Sequence, residues 1–428
     1  MQLGQPLRRG RPAADDGRPG ASEPVGRWRV LVLLGVGELL AMSPWFSASA
    51  VAPLITVDLS LTGLDLPLLT VAVQLGFVAG ALVLAITGAA DVWPAGRLFL
   101  GGAIAAALAN LGFAYLSDGF AAAVGFRALT GLALAGVYPV GMKIVAGWFR
   151  SQRGLAIGAI VGALTVGSSL PYLFRALGAL SGLDWRPIVA TASIAGVLGG
   201  LLVGRASRPG PFDVAAPRLS LRVARQAFAR PAVRLANLGY LGHMWELYAM
   251  WTWIPLFLAA SFAAAGTTDP AAASLAAFAV VAAGGLGCLA AGLLADRLGR
   301  TALTIGSMAI SGSCAIAIGF LFGAHPAVTL ALGVVWGVSV VADSAQFSAA
   351  VTELGPPGSA GSALALQTAG GFLLTGVTIT LVGILDDPDL LGWRLVFVLL
   401  AAGPAIGILA MARLRRRPEA SAMANGRR

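Results

Sequence analysis

The feature that most constrains this chain is a succession of twelve long apolar blocks separated by short connections that carry its charges. The blocks run near 29–55, 66–90, 97–117, 119–146, 153–178, 187–204, 235–262, 271–295, 302–323, 326–350, 359–384 and 392–414. A bilayer core needs roughly 20 apolar residues per helix. The blocks are rich in Ala, Leu and Gly and show no alternation of period two, so they predict helices rather than barrel strands. Only 11% of residues are charged and 57% are hydrophobic, whereas an average soluble domain is about 25% charged. So few charges cannot cover a water-soluble surface, which excludes a soluble enzyme. Residues 1–27 precede the first block, which lacks a small-residue cleavage site and is therefore read as a span rather than a signal peptide. Gly158, Gly162 and Gly167, inside the fifth block, predict close helix packing.

The formal net charge of +10 is distributed unevenly. One set of connections holds Arg8, Arg9, Arg11, Arg18, Arg27 and Arg29, then Arg97, Arg150 and Arg153, then Arg205 to Arg234, Arg297, Arg300 and the tail from Arg413. The opposite set holds Asp58, Asp65, Asp118, Asp184, Asp269, Asp386, Asp387 and Asp389, with Arg175, Arg186 and Arg394 as its bases. The positive-inside rule then places both termini in the cytoplasm, in a multi-pass protein of the cytoplasmic (inner) membrane. The segment 205–234 contains Pro209, Pro211, Pro217 and Pro231 and divides the chain. The expected organisation is a tail at 1–27, a bundle at 28–204, a cytoplasmic loop at 205–234, a second bundle at 235–414 and a tail at 415–428. The basic loop lacks interleaved aromatics, so no nucleic-acid partner is expected.

The two halves repeat each other. Glu38-Leu39-Leu40-Ala41-Met42-Ser43-Pro44-Trp45 and Glu246-Leu247-Tyr248-Ala249-Met250-Trp251-Thr252-Trp253 share E-L-x-A-M-x-x-W at an offset of 208. Leu155, Ala156, Gly162, Leu164 and Gly167 match Leu364, Ala365, Gly371, Leu373 and Gly376 at an offset of 209, and Asp91 matches Asp296 at 205. A near-constant offset at three places indicates duplicated halves, the architecture of secondary transporters.

Gly292-Leu293-Leu294-Ala295-Asp296-Arg297-Leu298-Gly299-Arg300 resembles the G-x-L-A-D-R-x-G-R loop of the major facilitator superfamily, in its place between the eighth and ninth helices. The first-half copy, Gly88 to Arg97, keeps Asp91, Gly96 and Arg97 but not their spacing. Arg127-Ala128-Leu129-Thr130-Gly131 is similar to the family's R-x-x-x-G element, and Trp148-Phe149 followed by Arg153-Gly154 to its W-F…R-G junction. The resemblance spans nearly the whole chain. It implies an all-α membrane protein of twelve helices in two pseudo-symmetric six-helix bundles, a central cavity and alternating access. It also implies gating by Asp91, Arg97, Gly292, Asp296, Arg297, Gly299 and Arg300.

A charge at mid-membrane costs about 2.5–3.5 kcal/mol on insertion scales, so each embedded ionisable group asks for a reason. Glu38 and Glu246 lie near mid-membrane at equivalent places in the repeat, and their helix faces are expected to meet at the cavity as proton-coupling carboxylates. His243 precedes Glu246 by three residues, shares its face and could relay protons to it. Arg127 keeps its charge and requires a carboxylate partner, an anionic substrate or a water-filled cavity; the family's analogous Arg helps couple protonation to conformational change. Asp343, followed by Ser344 and Gln346, is a polar patch that could contact substrate or pair with a base. Lys143, the one lysine, is expected to snorkel. Trp45, Phe46, Tyr138, Trp245, Tyr248 and Trp253 are candidates for an aromatic cavity lining. Gln74, Asn110, Gln346 and Gln367 are candidates for polar contacts. Pro44, Pro139, Pro171 and Pro255 are expected to kink helices.

No phosphate loop, H-E-x-x-H or G-x-S-x-G motif is present, which argues against ATP-driven transport and against hydrolysis. Cys288 and Cys314 sit in apolar runs, and no second His lies beside His243, so neither a disulfide, a metal site nor a cofactor is expected. The expected function is a non-enzymatic permease acting as a monomer on a small solute, driven by protons. The alternatives are a uniporter or anion exchanger in which Arg127 binds an anionic substrate and, more remotely, a non-transporting receptor.

Overall fold

The computed structural model describes residues 24–213 and 219–427. The tail arginines Arg8, Arg9, Arg11 and Arg18, together with Pro217 and Arg218, lie outside the described residues. Among the described residues all regular structure is helical. In chain order the first half comprises α1 (Arg27–Ala41, continued by Ser47–Ala50 and Ala52–Asp58), α2 (Asp65–Thr87) and α3 (Ala95–Leu116). It goes on with α4 (Phe120–Leu134 and Tyr138–Trp148), α5 (Arg153–Leu180) and α6 (Trp185–Ala206). A short helix, Leu221–Ala229, precedes the second half. That half comprises α7 (Pro231–Ala264), α8 (Pro270–Leu298), α9 (Arg300–Ile318), α10 (Pro326–Ala342 and Ser344–Leu354), α11 (Ala360–Leu385) and α12 (Ala402–Arg415, entered through Gly392–Leu395 and a 3₁₀ stretch, Val396–Ala401).

Eleven of these segments are long and apolar enough to cross a membrane. The segment left out is the first, because α1 is broken. Three blocks expected to be continuous are interrupted, two by a few residues and one by a single residue. Met42–Phe46 interrupts α1 around Pro44, Ala135–Val137 interrupts α4 before Pro139, and Asp343 interrupts α10. Proline accounts for the first two, since it has no N–H to give the preceding turn. The breaks in α4 and α10 fall at equivalent places in the repeat.

The duplication seen in the sequence returns as packing. In the first half α1 packs on α5 and α6, α2 on α4, and α3 on α4 and α6. In the second half the same pairs recur six helices later: α7 on α11 and α12, α8 on α10, and α9 on α10 and α12. The halves meet through α5 against α8 and through α2 against α11. The α5–α8 contact runs through glycines. A methyl on Gly158 would sit 2.6 Å from the Cys288 carbonyl oxygen, and one on Gly292 would sit 2.8 Å from that of Gly154. Gly167 likewise lies flat against the Leu39 carbonyl of α1. These glycines therefore serve close approach, as expected from the sequence.

Candidate functional site

Between the halves lies a cavity of about 510 Å³. Its walls come from the second part of α4, from α5, α7 and α11, and from the second part of α10. Arg153, Arg300, Thr352 and Glu353 stand toward one end, near the connection between α8 and α9. The other end is closed by an aromatic plug. Trp45 of α1, Phe77 of α2, Tyr248 of α7 and Phe372 of α11 interlock, with centroids 5.1 Å (Trp45–Phe77), 5.0 Å (Phe77–Phe372) and 4.9 Å (Tyr248–Phe372) apart. Phe46 and Trp251 extend it, 5.9 Å apart. Beside it the Thr375 hydroxyl donates to Gln74 Oε1, a side-chain bond joining the two halves. A cavity between repeated halves, closed at one end, is the arrangement that alternating access requires.

The expected lining is partly relocated. Tyr138, Tyr248 and Gln346 line the cavity. Trp45 and Phe46 belong to the plug instead, and Gln74 to the inter-half bond. Trp253 donates to the Ile379 carbonyl at 3.0 Å and Trp245 to the Leu399 carbonyl at 3.1 Å, so both pack inside the second half. Gln367 is buried behind the wall, accepting from Ser348 Oγ at 3.5 Å. Asn110 lies within the first half, bonded to Ser47, Ser193 and Arg127.

The embedded carboxylates do not meet at the cavity. Glu38 is turned into its own half over Gly141 of α4, fully buried, and neither of its oxygens has a hydrogen-bond partner among the described residues. Glu246 is turned into the second half, where it accepts from Ser311 Oγ of α9 at 2.8 Å and from Trp336 Nε1 of α10 at 2.7 Å. The pseudo-symmetry thus places each acid inside its own bundle. His243 does not pair with Glu246 either. Its Nδ1 lies 2.9 Å from Asp343 Oδ1 at the break of α10. This contact has the distance of an ion pair without the alignment of a hydrogen bond, and His243 Nε2 has no partner among the described residues. Both groups are almost fully buried, directly behind the wall formed by Val341, Ser344, Tyr240 and Met244. A three-residue spacing puts two side chains on roughly one helix face, but here the chain break in α10 brings Asp343 nearer to the imidazole than Glu246.

Arg127 meets none of the three expectations. Its Nη1 donates to the Pro44 carbonyl (3.0 Å), Ser47 Oγ (3.1 Å) and Asn110 Oδ1 (2.9 Å), and its Nη2 donates to the Trp45 carbonyl. The break in α1 leaves carbonyl oxygens without helical partners, and a guanidinium with five donors suits them. Arg127 holds the break together, outside the cavity, which removes the reading in which it binds an anionic substrate there.

The loop elements form two ion-pair clusters. Arg300, which opens α9, donates through Nε (3.1 Å) and Nη2 (2.7 Å) to Glu353 and through Nη1 to Gln346 Oε1 (2.7 Å). Asp296 Oδ1 stands 3.6 Å from the same guanidinium. Gly299 takes φ +89°, which lets the chain turn from α8 into α9. The Arg297 side chain is exposed, and its carbonyl and that of Asp296 accept from Arg427. Glu353 lies just beyond the twelve-block scheme, so it was missed. The signal was there: an acid at the end of a block, on a face otherwise populated by arginines. In the first half, Lys143 reaches an acid at the end of its helix. Its Nζ lies 2.5 Å from Asp91 Oδ1 and 2.6 Å from the Ala90 carbonyl, so α4 supplies the base that the altered loop spacing had displaced. Arg97 lines a second cavity of about 420 Å³ beside that pair.

The sequence pattern of the Major Facilitator Superfamily matches residues 34–375 and 236–428, and the chain belongs to that family. No curated protein matches it. Among solved structures it is similar to a D-xylose-proton symporter, with TM-score 0.73 and 16% identity over 92% of this chain and 99% of that one. It is also similar to a proton:xylose symporter bound to 6-bromo-6-deoxy-D-glucose, with TM-score 0.70 and 15% identity over 90% and 95%. At such identity the likeness is one of fold. The protein is a multi-pass integral membrane protein and a transporter rather than an enzyme.

Proposed function

We propose that this protein is a secondary active transporter that moves a small solute across the cytoplasmic membrane by alternating access, coupled to protons and working as a monomer in the bilayer. The observation that carries this reading is the central cavity, built by both halves and plugged at one end by Trp45, Phe77, Tyr248 and Phe372. Under the positive-inside rule the loop-bearing end faces the cytoplasm, together with both termini, so this conformation faces inward. The two six-helix bundles, joined through the segment 205–234, are the bodies that rock. The proton sites are Glu38, Glu246 and the His243–Asp343 pair. That pair stands behind the cavity wall at a chain break, where protonation and movement of α10 can influence each other. Arg127 supports coupling by holding the broken α1 beside the plug. Asp91, Asp296, Arg300 and Glu353 are the gating elements at the cytoplasmic end.

The test is side-specific labelling. In a Cys288→Ser/Cys314→Ser background, Ser348→Cys should react with an impermeant maleimide in inside-out vesicles and much more slowly in right-side-out ones. Equal labelling from both sides, or none from either, would remove the alternating-access reading. Coupling is tested by pyranine in proteoliposomes, where His243→Gln or Asp343→Asn should abolish solute-linked proton movement.

A further inference from the structure

We infer that the transported solute is a compact organic anion, a carboxylate on an apolar or aromatic body, with Arg153 and Gln346 as its anion-binding groups. The inference rests on the transporter reading and adds the substrate class to it.

The charged side chains that line the cavity are Arg153, Arg300 and Glu353. Both carboxylate oxygens of Glu353 are engaged: Arg300 donates to each of them, and the Ala424 N–H adds a third bond at 3.2 Å. Among the described residues no carboxylate lining the cavity is free of an arginine. Asp296, at the rim, faces the Arg300 guanidinium. Arg153 stands exposed at the cavity mouth and has no hydrogen-bond or ion-pair partner among the described residues, so its guanidinium is free to meet a ligand.

Gln346 points the same way. Arginine can only donate, so the Gln346 atom that Arg300 contacts at 2.7 Å must be its oxygen. Arg300 thereby positions the amide, engages its oxygen and leaves the Nε2 hydrogens as donors. That nitrogen has no acceptor among the described residues and is not a sealed, partnerless atom. The cavity thus offers a guanidinium and a fixed amide N–H₂, while its strongest acceptors are occupied. A carboxylate uses such donors fully, and charge-assisted bonds are stronger than neutral ones. A sugar, whose hydroxyls must also donate, has to share the Glu353 and Gln346 oxygens with Arg300. An organic cation meets an unpaired arginine.

The opposite end sets the body of the solute. Tyr248 packs 4.9 Å from Phe372 and 5.3 Å from Trp251, beside Leu164, Val161 and Leu247. The volume of about 510 Å³ lies within the range of roughly 300–1,000 Å³ usual for small-molecule sites.

Thermal melting of the purified protein with benzoate, hexanoate, benzamide, D-xylose and tetraphenylphosphonium tests this. Ligand binding to the folded state raises apparent stability. Benzoate or hexanoate should raise the melting temperature in a concentration-dependent way, whereas benzamide, xylose and tetraphenylphosphonium should not. The binding acid should also protect Ser348→Cys from maleimide. Arg153→Gln should weaken its binding at least tenfold without changing the melting temperature of the ligand-free protein. Binding of xylose or the cation with both acids silent, silence of the whole panel, or unchanged acid affinity in Arg153→Gln would overturn the inference. Each of these results leaves the side-specific labelling of Ser348→Cys, and hence the transporter reading, standing or falling on its own.

Discussion

Replacing Arg127 by Met should destabilise the fold before it affects any solute site. The guanidinium makes four bonds, to Pro44 O, Ser47 Oγ, Asn110 Oδ1 and Trp45 O. Their losses are unequal. Ser47 Oγ and Asn110 Oδ1 keep each other at 2.7 Å, and the Pro44 carbonyl keeps Ser47 Oγ at 3.0 Å. The Trp45 carbonyl keeps no side-chain donor. A buried acceptor left without a partner costs about 1–3 kcal/mol, and side-chain hydrogen bonds in membranes average about 0.6 kcal/mol with a maximum of about 1.7. One orphaned carbonyl and three weakened bonds then amount to roughly 2–4 kcal/mol, offset in part by no longer burying a charge. At an unfolding entropy of about 2.1 cal/mol/K per residue this corresponds, for 428 residues, to a fall in melting temperature of about 2–5 °C. Fluorescence-detected size-exclusion after heating reads that shift. Arg127→Lys should fall between, because an ammonium keeps the charge but not the forked geometry. If Arg127→Met melts like the wild type and loses only solute binding, then the guanidinium serves the cavity and the structural argument is wrong.

Glu246→Gln should abolish solute-linked proton flux while melting close to the wild type. Ser311 can turn its hydroxyl to accept from the new amide while Trp336 still donates to its oxygen; undiminished pyranine signals in the mutant would exclude Glu246 as a proton site. Glu38→Gln should be milder in flux, since no His–Asp pair accompanies it in the first half. Asp296→Asn should slow turnover and raise inward-facing accessibility at Ser348→Cys, with affinity altered only by the competent fraction; loss of binding with unchanged accessibility would count against a gating role. Gly158→Leu should prevent α5 from closing on α8, because its side chain would enter the space of the Cys288 carbonyl; a mutant that folds and transports normally would show that this contact is not needed.

The apolar blocks, the arginine asymmetry and the near-constant offset between Glu38 and Glu246 made the twelve-helix architecture legible from sequence. Those signals are local, and the bilayer enforces them: every backbone polar group must be satisfied within its own helix, so span length and hydropathy leave little choice. The loop Gly292 to Arg300 was equally legible, because a turn and an ion-pair cluster use a short contiguous motif. What sequence could not decide was which side chain each buried group faces. Helical spacing placed His243 with Glu246, yet the break in α10 moved Asp343 to 2.9 Å from the imidazole. Arg127 was expected to meet a carboxylate, an anionic substrate or a water-filled cavity, and the break in α1 offered carbonyls instead. Lys143 and Asp91, or Arg300 and Glu353, are about fifty residues apart and meet only through helix packing. Partner choice depends on rotation about each helix axis and on where a helix is interrupted. Both are set by close packing of glycines such as Gly158 and Gly292 across neighbouring helices, and only the tertiary structure holds that information.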